Sequence, residues 1–126
     1  MNPDLPEIFN KTRALSDEIK NTALYRKYIS ARERTKNDPE LAARINEYKQ
    51  LHAEYCVNPG ELLFDEEKRI SGIFWALMLN DNARELFESE RDLIEIYRSV
   101  VDIILESSGI EITEEVYNAA SKEKTG

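Results

Sequence analysis

Residues 70–79, Ile-Ser-Gly-Ile-Phe-Trp-Ala-Leu-Met-Leu, are the most apolar ten in a chain of 126 residues that is 33% charged. Wound as an α-helix, Ile70, Ile73, Phe74 and Leu77 fall within about a quarter-turn on one face. Gly72, Trp75 and Leu79 fall on the opposite face. A helix apolar on two sides must be covered on two sides, by its own chain, a second copy or a partner. Burying one large apolar side chain is worth roughly 1.5–3 kcal/mol, against a domain stability of about 5–15 kcal/mol. Leaving Trp75 and Leu79 in water is therefore a poor arrangement. Gly72 lacks a side chain where a neighbouring helix backbone would approach, so Gly72, Trp75, Met78 and Leu79 are the expected oligomer or partner interface. The competing expectation is that two short helices near the N-terminus fold back over this face.

The length suits a single helical domain, expected over residues 1–110, with a weakly structured tail at 111–126. Glycine and proline are scarce at four each, which favours helices over a turn-rich sheet fold. The net charge of −8 is uneven. Residues 1–60 carry ten Lys/Arg against nine Asp/Glu, whereas residues 61–126 carry seven against sixteen. An acidic chain argues against a duplex-DNA binder, which needs a basic footprint. One cysteine, Cys56, rules out an intrachain disulfide and fits reduced, cytoplasmic chemistry. The N-terminal residues show no signal-peptide pattern. The longest apolar run, 73–79, is far short of the roughly 18–20 residues that span a bilayer, so no membrane insertion is expected.

Asp4 and Glu7 mark a first helix start, with Ile8, Thr12, Leu15 and Ile19 as its stripe. Thr22 caps a second helix with Leu24, Tyr28 and Ala31 inward. Asp38 caps a third, with Pro39 in its first position. That helix carries Leu41, Ile45, Tyr48, His52 and Tyr55 at 4-3-4-3 spacing. Asn58-Pro59-Gly60 reads as a turn, and a fourth helix starting between Glu61 and Asp65 carries the apolar stretch. Asp81 is the expected cap of the longest helix, 82–108, closed by Gly109. Its inner face holds Ala83, Leu86, Phe87, Leu93, Ile94, Tyr97, Val101, Ile104 and Leu105. A short weak helix at 113–120 and a frayed end at 121–126 complete the chain. The fold class is all-α: a bundle of about five helices in which the third and fourth form a long antiparallel hairpin.

Chemistry is sparse. Di-iron and di-manganese bundles need Glu-x-x-His on two helices; here one histidine exists, and Lys49 stands three before it. Structural zinc needs four ligands. His52 and Cys56, four apart, supply half a site at most, and such a pair is more often core filler. No nucleophile motif or Gly-rich phosphate loop is present, so no catalytic residue, metal ligand or cofactor is expected. Glu90 lies on the apolar stripe of the last helix. It reads as a buried polar anchor meeting a Tyr hydroxyl, His52 or an arginine, or else as a perturbed acid in a pocket. Arg26, Lys27, Arg32, Arg34 and Lys36 form a basic run broken only by Glu33. Its bland meaning is a solvated face; its sharper one is a docking surface for RNA or an acidic partner.

Leu24-Tyr25-Arg26 with Tyr28, Asp38-Pro39-Glu40-Leu41, Ile45 and Tyr48 form one set of recognisable residues. Leu79-Asn80-Asp81, Leu86, Ser89-Glu90 and Leu93 form another. Together they resemble the YlbF/YmcA family of small helical bacterial proteins over about residues 8–108. The resemblance implies an all-helical fold, homo- or hetero-oligomers and no enzymatic activity. It also implies regulation of competence, biofilm formation or sporulation, in some members through a complex that assists a membrane-attached ribonuclease in mRNA processing. Several of those members carry C-terminal cysteines that help hold iron–sulfur clusters. Residues 110–126 here contain none. The expected protein is thus a cytoplasmic, non-enzymatic regulator or adaptor, a homodimer with a protein partner. The alternative is an RNA-processing accessory factor that works through the basic face at 26–36 or within a ribonuclease complex.

Overall fold

The computed structural model describes residues 4–57, 64–111 and 113. Among them the chain is all-α, with α1 (Leu5–Lys20), α2 (Ala23–Lys36), α3 (Pro39–Val57), α4 (Phe64–Met78) and α5 (Asp81–Ser108), and no strand. It forms two compact units, Met1–Leu93 and Ile94–Gly126. The turn expected at 58–60 lies outside the described residues. So do residues 114–120 of the short helix expected at 113–120, and the frayed end expected at 121–126.

In the first unit, side chains set the helix starts. The Thr22 hydroxyl accepts from the Tyr25 amide (3.2 Å) and the Asp38 carboxylate from the Leu41 amide (3.2 Å). Each satisfies a donor that the first helical turn leaves open. Asp4 stands at the N-cap of α1, but its side chain makes no capping bond. The start of α5 differs from the sequence expectation. Asn80, not Asp81, is the cap, accepting from the Ala83 amide at 3.0 Å. Asp81 becomes the first helical residue and pairs with Arg84 (2.6 Å). Its charge there complements the positive helix end without capping it.

α3 and α4 pack as the antiparallel hairpin expected, since Tyr48 meets Phe74 while Tyr55, further along α3, reaches back to Glu67. The core joins Ala31 of α2, Leu41 and Ile45 of α3, Leu77 of α4, and Ala83 and Leu86 of α5. Tyr28, Tyr48, Ile73, Met78 and Phe87 pack against its edge. The Tyr48 and Phe87 rings meet at near right angles, with centroids 5.7 Å apart at 88°, a preferred geometry for an aromatic pair. The first unit also encloses Ser89, whose Oγ donates back to the Glu85 carbonyl (2.8 Å). This bond satisfies the hydroxyl without a partner from another helix. The expected stripe of α1 is realised only at Ile19; Ile8 and Leu15 are exposed.

In the second unit α5 continues to Ser108 and ends on Gly109 at φ 71°, the left-handed position that favours glycine. The apolar stripe expected as the inner face is not buried here. Ile94 is 55% and Ile104 58% exposed, and Tyr97 and Val101 are exposed as well. Periodicity identifies an apolar side of the helix, but beyond Leu93 the residues of that side are exposed except Leu105, which is half-buried.

Candidate interaction surface

α4 faces two ways. Leu77 is fully buried, and Ile73 and Phe74 are half-buried toward the core. Opposite them Trp75 is 65% and Leu79 85% exposed. The Trp75 indole is supported from its own helix, edge-on to Phe74 (5.3 Å, 72°). At Gly72 an added Cβ would meet nothing within 4 Å. The N-terminal helices therefore do not fold back over this side. Met78, of the same expected set, is half-buried and packs against the core edge. Its position, about 100° round the helix from Leu79, places it between the two faces.

The basic run on α2 is not a uniform surface. Arg34 pairs with Glu85 of α5. Arg32 turns partly inward, its guanidinium 5.6 Å from the centre of the Tyr28 ring. Arg26 is drawn back to the Asn21 carbonyl (2.8 Å) at the end of α1. Lys27 and Lys36 stay exposed.

Glu90 is not a buried anchor. Its side chain is 25% exposed and pairs with Lys49 of α3 at 3.0 Å, not with a tyrosine, His52 or an arginine. The α5 stripe reaches the core edge at this turn, where a carboxylate keeps partial contact with water while a lysine of α3 reaches across. The fully enclosed polar residue is its neighbour Ser89. Small residues with a self-satisfying hydroxyl leave little trace in an apolar pattern, and sequence reasoning passed over it.

His52 and Cys56 do meet, with Sγ 3.8 Å from Nδ1, but both are exposed, so they are not core filler. No group of three or more His, Cys, Asp or Glu side chains that could hold a metal occurs among the described residues. Beside them a groove of about 350 Å³ opens between α3 and α4, lined by Tyr48, His52, Tyr55, Glu67 and Phe74. Burial pushes the Tyr48 hydroxyl above its ordinary range, with the Cys56 charge adding to it. The hydrogen bond that Tyr55 donates to Glu67 raises Tyr55 as well.

The surface that sequence reasoning missed is larger than the one it named. Ile94, Tyr97, Val101 and Ile104 line one side of the second half of α5, and Ile103 is exposed on another. Ile8, Phe9 and Leu15 of α1 are exposed too. A partial signal was present at α5: Ile96, Val100 and Ile103 broaden its apolar arc well beyond a single stripe.

Fold and surface together define a small all-helical protein with aromatic and branched apolar side chains turned outward. A family model described as "Control of competence regulator ComK, YlbF/YmcA" matches residues 8–107. The chain belongs to the YlbF/YmcA family, as its residues suggested. No curated protein and no solved structure gave a match. Among the described residues no helix is long and apolar enough to cross a membrane.

Proposed function

We propose that the protein is a cytoplasmic, non-enzymatic regulator of the competence, biofilm or sporulation type that acts through protein–protein contact and self-associates as a dimer. The observation that carries this reading is the exposure of Trp75 on the helix that also supplies Leu77 to the core, and of Leu79 just past the end of that helix. Large apolar residues on and just beyond α4, with open space at Gly72, form a surface that association would remove from water. Membership of a family described as a competence regulator supports the regulatory part. A role in a ribonuclease complex or on RNA, through residues 26–36, has less to rest on, because Arg26 and Arg34 are engaged within the chain.

Light scattering at micromolar concentrations tests the association. The wild-type chain is expected to run as a dimer, and Trp75→Ser with Leu79→Ser to weaken it by tenfold or more, about 1.4 kcal/mol. A wild-type chain that stays monomeric across that range removes self-association from the proposal.

A further inference from the structure

Within the first unit, α2, α3 and α5 line a half-open pocket of about 240 Å³ whose walls include Tyr28, Arg32, Lys36, Asn46, Lys49 and Glu90. Three of these side chains are cations and one is an anion, a local surplus of two positive charges in a chain whose net charge is −8. Only Lys49 is offset, by its 3.0 Å pair with Glu90. Arg32 is held over the Tyr28 ring, and its Nε is enclosed without any hydrogen-bond acceptor. Lys36 has no hydrogen bond or ion pair among the described residues. The enclosed Nε lies beyond the reach of a ligand in the pocket, so what a bound anion would offset is the charge surplus of Arg32, Lys36 and Lys49 over Glu90.

We infer that this pocket binds the phosphate group of a small phosphorylated metabolite. A dianion matches the surplus of two charges, which a single carboxylate would leave half offset. Arg32 offers the planar donor set suited to an oxyanion, while Lys36 and Lys49 act as point charges. The volume far exceeds the roughly 10–15 Å³ that a single water needs and leaves room for a phosphate and a few further atoms. Glu90 stands against the ligand, so the site is tuned to moderate affinity. Such a site would let a regulator respond to a metabolite at a place separate from Trp75 and Leu79.

The test is a titration with inorganic phosphate at constant ionic strength, followed by amide chemical shifts of the full chain. Saturable shifts are expected at residues of α2 and α3 around the pocket. Arg32→Met is expected to weaken binding about tenfold or more, the usual effect of removing a charge-assisted hydrogen bond. Lys36→Gln, at an exposed position that the fold tolerates, is expected to weaken it several-fold. Glu90→Gln is expected to tighten it, and Arg44→Gln, elsewhere on α3, to leave it unchanged. Three outcomes overturn the proposal: no saturable shift, equal losses from Arg44→Gln and Lys36→Gln, or acetate binding as tightly as phosphate.

Discussion

The two stretches of α5 carry the same apolar repeat and meet opposite fates. In the first unit Ala83, Leu86 and Leu93 are buried and Phe87 is half-buried. In the second, Ile94, Tyr97, Val101 and Ile104 continue the stripe at the same helical spacing and are exposed. Their side chains are if anything larger and more branched. The difference therefore lies not in the helix but in what is packed against it. The first stretch has Tyr48 and Leu77 of other helices for neighbours, within one core. An amphipathic pattern specifies a side that avoids water; it does not specify what will cover that side.

The largest effect expected separates the two stretches directly. Leu86→Ala should cost about 2–5 kcal/mol, because it opens a cavity in a packed core. Ile104→Ala should change the stability of the isolated chain by no more than about 0.5 kcal/mol. Urea denaturation at low protein concentration measures both. A large cost at Ile104 that grows with protein concentration would show that a second copy covers this stretch, since only association makes stability depend on concentration.

Next comes the anchoring of the first stretch. Asn80→Ala should cost about 1 kcal/mol through loss of the bond to the Ala83 amide. Asp81→Ala should cost clearly less, because it removes an exposed charge pair with Arg84 and a favourable charge at the helix start but no capping bond. Equal costs by denaturation would return the cap to Asp81.

Most of the fold was legible because it is written in local chemistry. Thr22, Asp38 and Gly109 are side-chain or backbone specialists at helix ends, and each does what its type suggests. The α5 start was misread because Asn80 and Asp81 are adjacent and both cap well; only the backbone geometry decides between them. Glu90 was misread because a helical stripe gives direction but not depth. Its turn lies where the core ends, so Lys49 and solvent share the carboxylate. Trp75 and Leu79 are exposed, as residues on a second apolar side would be without a partner, whereas Met78 packs against the core edge. The breadth of the apolar arc on α5 could be read beyond Leu93, but its exposure could not, since that depends on neighbours far away in sequence.

A smaller effect probes the edge of the first stretch. The Lys49–Glu90 pair is half in water, with side chains 47% and 25% exposed. Its double-mutant coupling energy should therefore be about 1 kcal/mol or less and should shrink as salt rises. A coupling of several kcal/mol that ignores salt would mean that Glu90 is enclosed after all, and the buried stretch of α5 would then extend across this turn.

The smallest effect is absent at neutral pH and appears only in alkali. Tyr48, at near right angles to Phe87 on the buried stretch, has its hydroxyl raised above the ordinary 10.0 by burial and then by the Cys56 charge. Below that value both folded and unfolded chains hold the proton, so Tyr48 gives stability no pH dependence. Above it the unfolded chain releases the proton first, so stability falls as pH rises toward the higher folded value. Tyr48→Phe should remove that share of the alkaline slope, seen as the difference between the two chains in urea denaturation from neutral pH to about pH 11. If the two slopes coincide, Tyr48 ionises as freely in the folded chain as in water. The aromatic contact that covers the first stretch of α5 would then be open to solvent, and the contrast with the second stretch would narrow.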